Sequence, residues 1–225
     1  MNPVLQNIIV AFCSLVYVFA VVAIMDVLVK RGFPQDLSRK VVHIAAASWI
    51  LFWPLYDFYH WTKYLNILPA VVWTILLIIK GLTADESDDA VKTMTRTGDR
   101  RELLKGPLFF TLVMNLMGTT FFYTEFAILS MGILGFGDGI APLIGARFGK
   151  TKYKVFTERT VEGSLGFIIF AIIGTSLFSH ILLGYIDLTK IILFSVISVI
   201  VEAISPKDLD NLLIPIAIFI FYFII

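Results

Sequence analysis

Residues 4–29 form an apolar run with one charged side chain, Asp26, and a cation-bearing turn follows it. That alternation of apolar run and polar connection recurs to the end of the chain. About 20 apolar residues cross a bilayer as a helix. Inside lipid, backbone N–H and C=O groups must be satisfied within the segment, so helices are favoured. The pattern predicts an all-α, multi-pass integral membrane protein with about eight transmembrane helices, or seven on the lower reading. The spans fall at 4–29, 41–56, 64–80, 106–123, 125–144, 164–184, 188–204 and 212–225, and the fifth is broken near 135–139. A 58% hydrophobic composition and a mean hydropathy of +0.88 exceed what a soluble domain carries. One membrane domain over 1–225 is the economical expectation.

Cations set the orientation. Sixteen of the 18 Lys and Arg residues fall in the four odd-numbered loops, and only Lys63 and Lys190 fall on the other side. The positive-inside rule then puts the odd loops in the cytoplasm and both termini outside. The expected setting is the cytoplasmic membrane of a prokaryote, with the active site on the cytoplasmic face. No charged region precedes the first apolar run, so no cleaved targeting peptide is expected. Cys13 is the single cysteine and the three His are scattered, which argues against disulfides, thiolate metal sites and zinc spacing. A net charge of +1 gives no reason to expect a nucleic-acid partner.

The segment 135–166 is more than membrane span. It places Asp138 between Gly137 and Gly139 inside an apolar run, then turns basic with Arg147, Lys150, Lys152, Lys154 and Arg159. A carboxylate at membrane depth costs about 2.5–3.5 kcal/mol on insertion scales, which makes it a functional candidate. Glycines let backbone approach a ligand, and cations suit phosphates. An acid for a metal, bare backbone and a basic rim describe a nucleotide site at a membrane surface. Asp138 is the candidate ligand for Mg²⁺, which takes carboxylate and phosphate oxygens; the plainer reading is an aspartate capping a turn. The G-x-x-x-G spacings at Gly135/Gly139 and Gly145/Gly149 also suit helix packing. Thr160 has N-cap spacing before Glu162 and Gly163, and a helix N-terminus there attracts anions.

Three further places carry candidates. Arg39, Lys40 and His43 share a helix face at the start of the second span. They read either as interfacial anchors with a packed histidine or as phosphate contacts with His43 orienting a substrate. The third cytoplasmic loop holds Asp85, Glu86, Asp88 and Asp89, read as a solvated face. It then holds Asp99 and Glu102 at capping-box spacing. Arg100 and Arg101 beside them suit a phosphate or lipid headgroups. Last, Asp208, Asp210 and Asn211 open the eighth span on the same face as Asp138.

Five blocks in order resemble the CTP-dependent phytol, farnesol and dolichol kinases. They are R-K-x-x-H at Arg39 to His43, T-G-D-R-R-E-L-L-K-G-P from Thr97, G-D-G-x-A-x-x-x-G-x-x-F-G-K from Gly137, R-T-x-E-G-S from Arg159 and D-N-L-x-I-P from Asp210. The middle block looks closest to the phytol kinase branch. Arg159-Thr160 departs from the Lys-Ser or Arg-Lys-Ser of many members but keeps the charge, and Pro142 after Ala141 is less usual. The resemblance implies a multi-pass helical fold, CTP as phosphoryl donor, a divalent metal such as Mg²⁺ and a prenyl alcohol acceptor in the bilayer. On that reading Asp138 holds the metal, and Gly137, Gly139, Lys150, Lys152, Arg159, Glu162 and Gly163 bind the nucleotide. Arg39, Lys40, Arg100 and Arg101 contact phosphate, His43 orients substrate, and Asp210 or Asp99 takes the hydroxyl proton. Two rivals stand beside it. A CTP-dependent phosphatidate cytidylyltransferase has a related nucleotide segment but ends in a Gly-rich stretch that this chain lacks. A small transporter would use Asp138 as an ion site at a broken helix.

Overall fold

The computed structural model describes residues 2–85 and 87–224, so Glu86 of the acidic loop and the final residue of the eighth expected span lie outside the described residues. The chain divides into two compact units, Met1–Tyr123 and Thr124–Ile225. It is an all-α membrane protein apart from one small hairpin. Among the described residues, four helical stretches are long and apolar enough to cross a membrane: Pro3–Lys30, Trp61–Thr83, Glu125–Phe148 and Val161–Leu183. The other expected spans form shorter elements.

In the first unit, α1 (Pro3–Lys30) starts where Asn2 Oδ1 accepts from the Val4 N–H at 2.8 Å. α2 (Gln35–Ala47) continues as a 3₁₀ stretch, Ser48–Leu55, with Pro54 near its end. The expected span at 41–56 is thus half α and half 3₁₀. Ser48 Oγ donates back to the Ile44 carbonyl at 2.8 Å at that junction, a bond that competes with the regular ladder. α3 (Leu68–Thr83), the short α4 (Asp89–Met94), a 3₁₀ turn over Arg100–Leu104 and α5 (Gly106–Thr120) complete the unit.

Neutral polar groups stitch these helices together. Asn7 Nδ2 donates to Thr62 Oγ1 at 2.9 Å, and the Asp57 N–H donates to Asn7 Oδ1 at 2.7 Å. Asn66 Nδ2 donates to the Gly118 carbonyl at 2.9 Å, and Trp49 Nε1 donates to the Asn66 carbonyl at 2.8 Å. Thr74, Thr111 and Asn115 form a further chain between α3 and α5.

The acidic loop keeps contact with solvent but is ion-paired. Lys80 Nζ pairs with Asp88 at 2.8 Å and Lys30 with Asp89 at 2.6 Å, because α1 and α3 both carry a lysine in their last turn. Asp99 caps the 3₁₀ turn by accepting from the Arg101 N–H at 2.9 Å. The carboxylate of Glu102, however, accepts from the Arg96 N–H and from Thr97 Oγ1, closing the loop upstream of the turn.

In the second unit, α6 (Glu125–Gly132) passes through a π-helical turn (Ile133–Asp138) into α7 (Gly139–Phe148). The break expected near 135–139 is therefore a widened turn within one helix, not a gap. Such turns mark functional sites in many helices. Pro142 contributes locally, since it has no N–H for the Asp138 carbonyl four residues back. A hairpin of β1 (Lys152–Lys154) and β2 (Glu158–Thr160) leads into α8 (Val161–Leu183), then α9 (Leu188–Ile204) and α10 (Asp210–Tyr222).

The α6–α7 helix is the buried axis of this unit; 72% of its most apolar window is covered. Small residues let α8 lie against it. A β-carbon at Gly132 would fall 2.6 Å from Thr175 Oγ1, one at Gly137 2.9 Å from the Phe167 ring, and one at Gly166 2.9 Å from Ile144. Close approach through small residues is how helices associate without a hydrophobic drive between them.

Candidate functional site

The second unit gathers charge at one place. Arg159, the middle residue of β2, pairs with Glu202 near the end of α9 and with Asp210 at the start of α10, the latter at 2.9 Å. The Glu202 side chain is 2% exposed, that of Asp210 8% and that of Arg159 14%. Asp138, also buried, lies close enough for its charge to act on the guanidinium. Burial opposes the charge on Arg159, but Glu202, Asp210 and Asp138 together outweigh it and raise its pKa. Three carboxylates thus act on one guanidinium.

The hairpin register explains why Arg159 is the cation that reaches the acids. Tyr153 pairs with Arg159, while Lys152 pairs with Thr160 and Lys154 with Glu158. Side chains alternate across a strand, so Lys152 and Lys154 share the opposite face. Lys152 pairs there with Glu158 at 2.8 Å. On the Arg159 face, the Tyr153 hydroxyl and Ser164 Oγ lie 2.6 Å apart.

Beside Arg159 lies a cavity of about 210 Å³ lined by Ala141, Gly145, Arg159, Gly163, Ser164 and Glu202 among others. Thr160 caps α8 by accepting from the Gly163 N–H at 3.1 Å, as its spacing predicts. A β-carbon at Gly163 would meet Thr160 Oγ1 at 2.9 Å and the Ala141 carbonyl at 3.1 Å. Gly163 thus brings α8 close to α7, as Gly137 brings it close to the π turn. Glu162 accepts from the Thr151 N–H at 3.3 Å and fastens the hairpin's first strand to α8. Lys150 is exposed in the turn before β1.

Hydrogen-bonding capacity is left over here. Arg159 Nε and Asn211 Oδ1 are buried with no partner among the described residues. A buried donor and acceptor without partners suit an incoming polar ligand. No group of three or more His, Cys, Asp or Glu residues is spaced to cage a metal among the described residues. Mg²⁺ does not need such a cage, since it binds through one or two carboxylates, water and substrate phosphates. Asp138, a buried carboxylate near further acids, fits that donor set.

Glu202 is the member of this cluster that sequence reasoning passed over. The signal was present, a lone carboxylate in an apolar run, and it is the same signal that singled out Asp138. The remaining candidates belong to the first unit. On α2, Arg39 lies 3.5 Å from Asp36, Lys40 is 6% exposed, and the His43 ring stacks on Phe110 with centroids 4.2 Å apart. Asp99 caps its own turn, Arg100 Nη1 donates to the Ala84 carbonyl at 2.9 Å, and Arg101 is exposed.

Comparison with known proteins gives a consistent group of relatives. The chain is 32% identical over 213 residues to phytol kinase 1, chloroplastic, of Arabidopsis thaliana, covering 88% of this chain and 70% of the relative. It is 32% identical over 213 residues to probable phytol kinase 2, chloroplastic, of Oryza sativa subsp. japonica, covering 89% and 70%. It is 28% identical over 224 residues to farnesol kinase, chloroplastic, of Arabidopsis thaliana, covering 93% and 72%. No family model matches the chain, and no solved structure matches it. These relatives are chloroplastic by name, so the expected prokaryotic membrane finds no support among them.

Proposed function

The chain belongs to the phytol and farnesol kinase family, and from that premise we propose that it transfers the γ-phosphoryl group of CTP to the hydroxyl of a membrane isoprenoid alcohol. Phytol, farnesol, geranylgeraniol and longer polyprenols are the acceptor class. The observation that carries the reading is the half-buried Arg159 held between Glu202 and Asp210, beside Asp138 and a cavity lined in part by glycine and alanine.

Phosphoryl transfer needs little covalent help from a protein; it needs positioning and charge neutralisation. Arg159 supplies a fixed positive charge and a free Nε–H for a phosphate oxygen. Its two ion pairs hold the guanidinium in place before substrate arrives, so little reorganisation remains at the moment of transfer. Asp138 is the residue that would hold Mg²⁺, which when bound supplies charge neutralisation between the phosphates. Lys150 and Lys152, exposed around the hairpin, meet the outer phosphate oxygens, and the α8 N-terminus at Glu162 and Gly163 adds its positive end. Asp210 takes the alcohol proton. It lies in the charged cluster with Arg159, whereas Asp99 caps a turn of the first unit. The isoprenoid tail lies among Phe- and Leu-rich helices, with the reaction on the Lys/Arg-rich side of the bilayer.

The test uses purified protein with Mg²⁺ and CTP labelled at the γ- or the α-phosphate. Phytol, farnesol or phosphatidate is offered as acceptor. The expected result is γ-label, and no α-label, in the lipid phase with at least one isoprenoid alcohol. α-Label transferred to phosphatidate would identify a cytidylyltransferase, and no transfer to any lipid would return the transporter reading.

A further inference from the structure

Where the last turn of α3 meets the 3₁₀ turn, a depression of about 330 Å³ is lined by Gly81, Leu82, Arg100, Arg101, Leu104 and Lys105. Half of this lining is cationic. Arg100 is anchored through Nη1 on the Ala84 carbonyl. Arg101 and Lys105 are exposed, and neither side chain has a hydrogen bond or ion pair among the described residues. No carboxylate lines the depression. The two acids of the same segment, Asp99 and Glu102, are engaged by backbone N–H groups of the loop.

The other half is apolar. Leu82 is 60% exposed, and Leu104 lies against Gly81, where a β-carbon would fall 2.6 Å from Leu104 Cδ2. These leucines sit at the end of a stretch apolar enough to cross a membrane, Trp61–Thr83, which is where the acyl chains give way to headgroups.

The two halves select a ligand class. Three cations with no carboxylate in the lining repel one another, and a phosphate dianion relieves that repulsion through charge-assisted bonds. A free phosphate would leave the leucines in water, while an amphiphile would cover them. We propose that this depression binds a phosphomonoester carried on an apolar chain. Phosphatidate of the bilayer and a prenyl monophosphate share that chemistry. The inference rests on the lining of the depression alone and holds even if the phosphotransfer reading fails.

The test is native mass spectrometry and binding titration of the full-length protein in detergent. The probes are phosphatidate, farnesyl monophosphate, diacylglycerol and inorganic phosphate. The expected result is that at least one of the two lipid phosphates binds, and the tighter of them names the source. The double variant Arg101→Gln, Lys105→Gln should weaken that binding about tenfold or more. The charge-keeping variant Arg101→Lys, Lys105→Arg should retain most of it. Both residues are exposed, so the variants are expected to fold, and an unchanged Tm checks this. Equal binding of lipid phosphate by wild type and the Gln variant would overturn the proposal. So would inorganic phosphate or diacylglycerol binding as tightly as the lipid phosphates.

Discussion

The two units both bury polar groups among apolar helices, and they do so with different chemistry. Apart from Lys40, the first buries amides and hydroxyls, Asn7, Asn66 and Thr62 among them, and keeps its ion pairs Lys30–Asp89 and Lys80–Asp88 in contact with solvent. The second buries a guanidinium with carboxylates at Arg159, Glu202 and Asp210. Neutral hydrogen bonds inside a membrane protein are worth about 1 kcal/mol and serve as glue. A buried ion pair recovers its desolvation cost only with very good geometry, so it is weak evidence for stability. The contrast is one of how each unit satisfies its buried polar groups.

The largest effect is expected at Asp138. Asp138→Asn keeps the shape and removes the charge, so activity is expected to fall by at least about 100-fold. The protein should remain inserted and folded, checked by turnover with Mg²⁺ and by size-exclusion profile. Near-normal turnover would make the carboxylate a turn residue and the charged cluster a structural device.

Glu202→Gln comes next. It should lower turnover about tenfold by loosening Arg159. Glu202→Asp, which keeps the charge, is expected to recover part of the loss, a rescue that a packing role would not give. Steady-state kinetics of the two variants decide it.

Asn66→Ala tests the other side of the comparison. It removes two donated bonds, to the Gly118 and Lys63 carbonyls, and should destabilise by about 1–3 kcal/mol. The expected signature is a lowered Tm with unchanged turnover per folded molecule. A selective loss of turnover would erase the distinction between the units.

The smallest effect is expected at the exposed Lys152–Glu158 pair. The hydrogen bond from Lys152, and then its charge, hold the Glu158 carboxyl below the ordinary value, and Glu158 likewise raises Lys152. For Glu158 the stabilisation is present above the ordinary carboxylate pKa and lost as pH falls through the lowered one. For Lys152 it is present below the ordinary lysine pKa and lost as pH rises through the raised one. Melting curves of wild type and Glu158→Gln should therefore differ slightly between about pH 5 and 10 and converge outside that window. High salt should shrink the difference, since an exposed pair is screened.

That this chain is helical and lives in a membrane was legible in its sequence. Span length, apolar composition and the need to satisfy every backbone group are local properties, readable one segment at a time. The sequence also showed that Asp138 stands out, because a carboxylate in an apolar run is anomalous wherever the run folds, and that Thr160 caps α8, because a cap acts over three residues. Tertiary structure alone decided which cation meets which acid. Five cations between Arg147 and Arg159 look equivalent in sequence, but the hairpin register turns Arg159 one way and Lys152 the other. The partner Asp210 is 51 positions away, and Glu202 comes from a different helix. It likewise decided that the acidic loop pairs with Lys30 and Lys80, and that the glycine-rich break is a π turn closed by α8. Ion pairing and close helix contact depend on distance in space. A sequence fixes that distance within one element and leaves it to packing between elements.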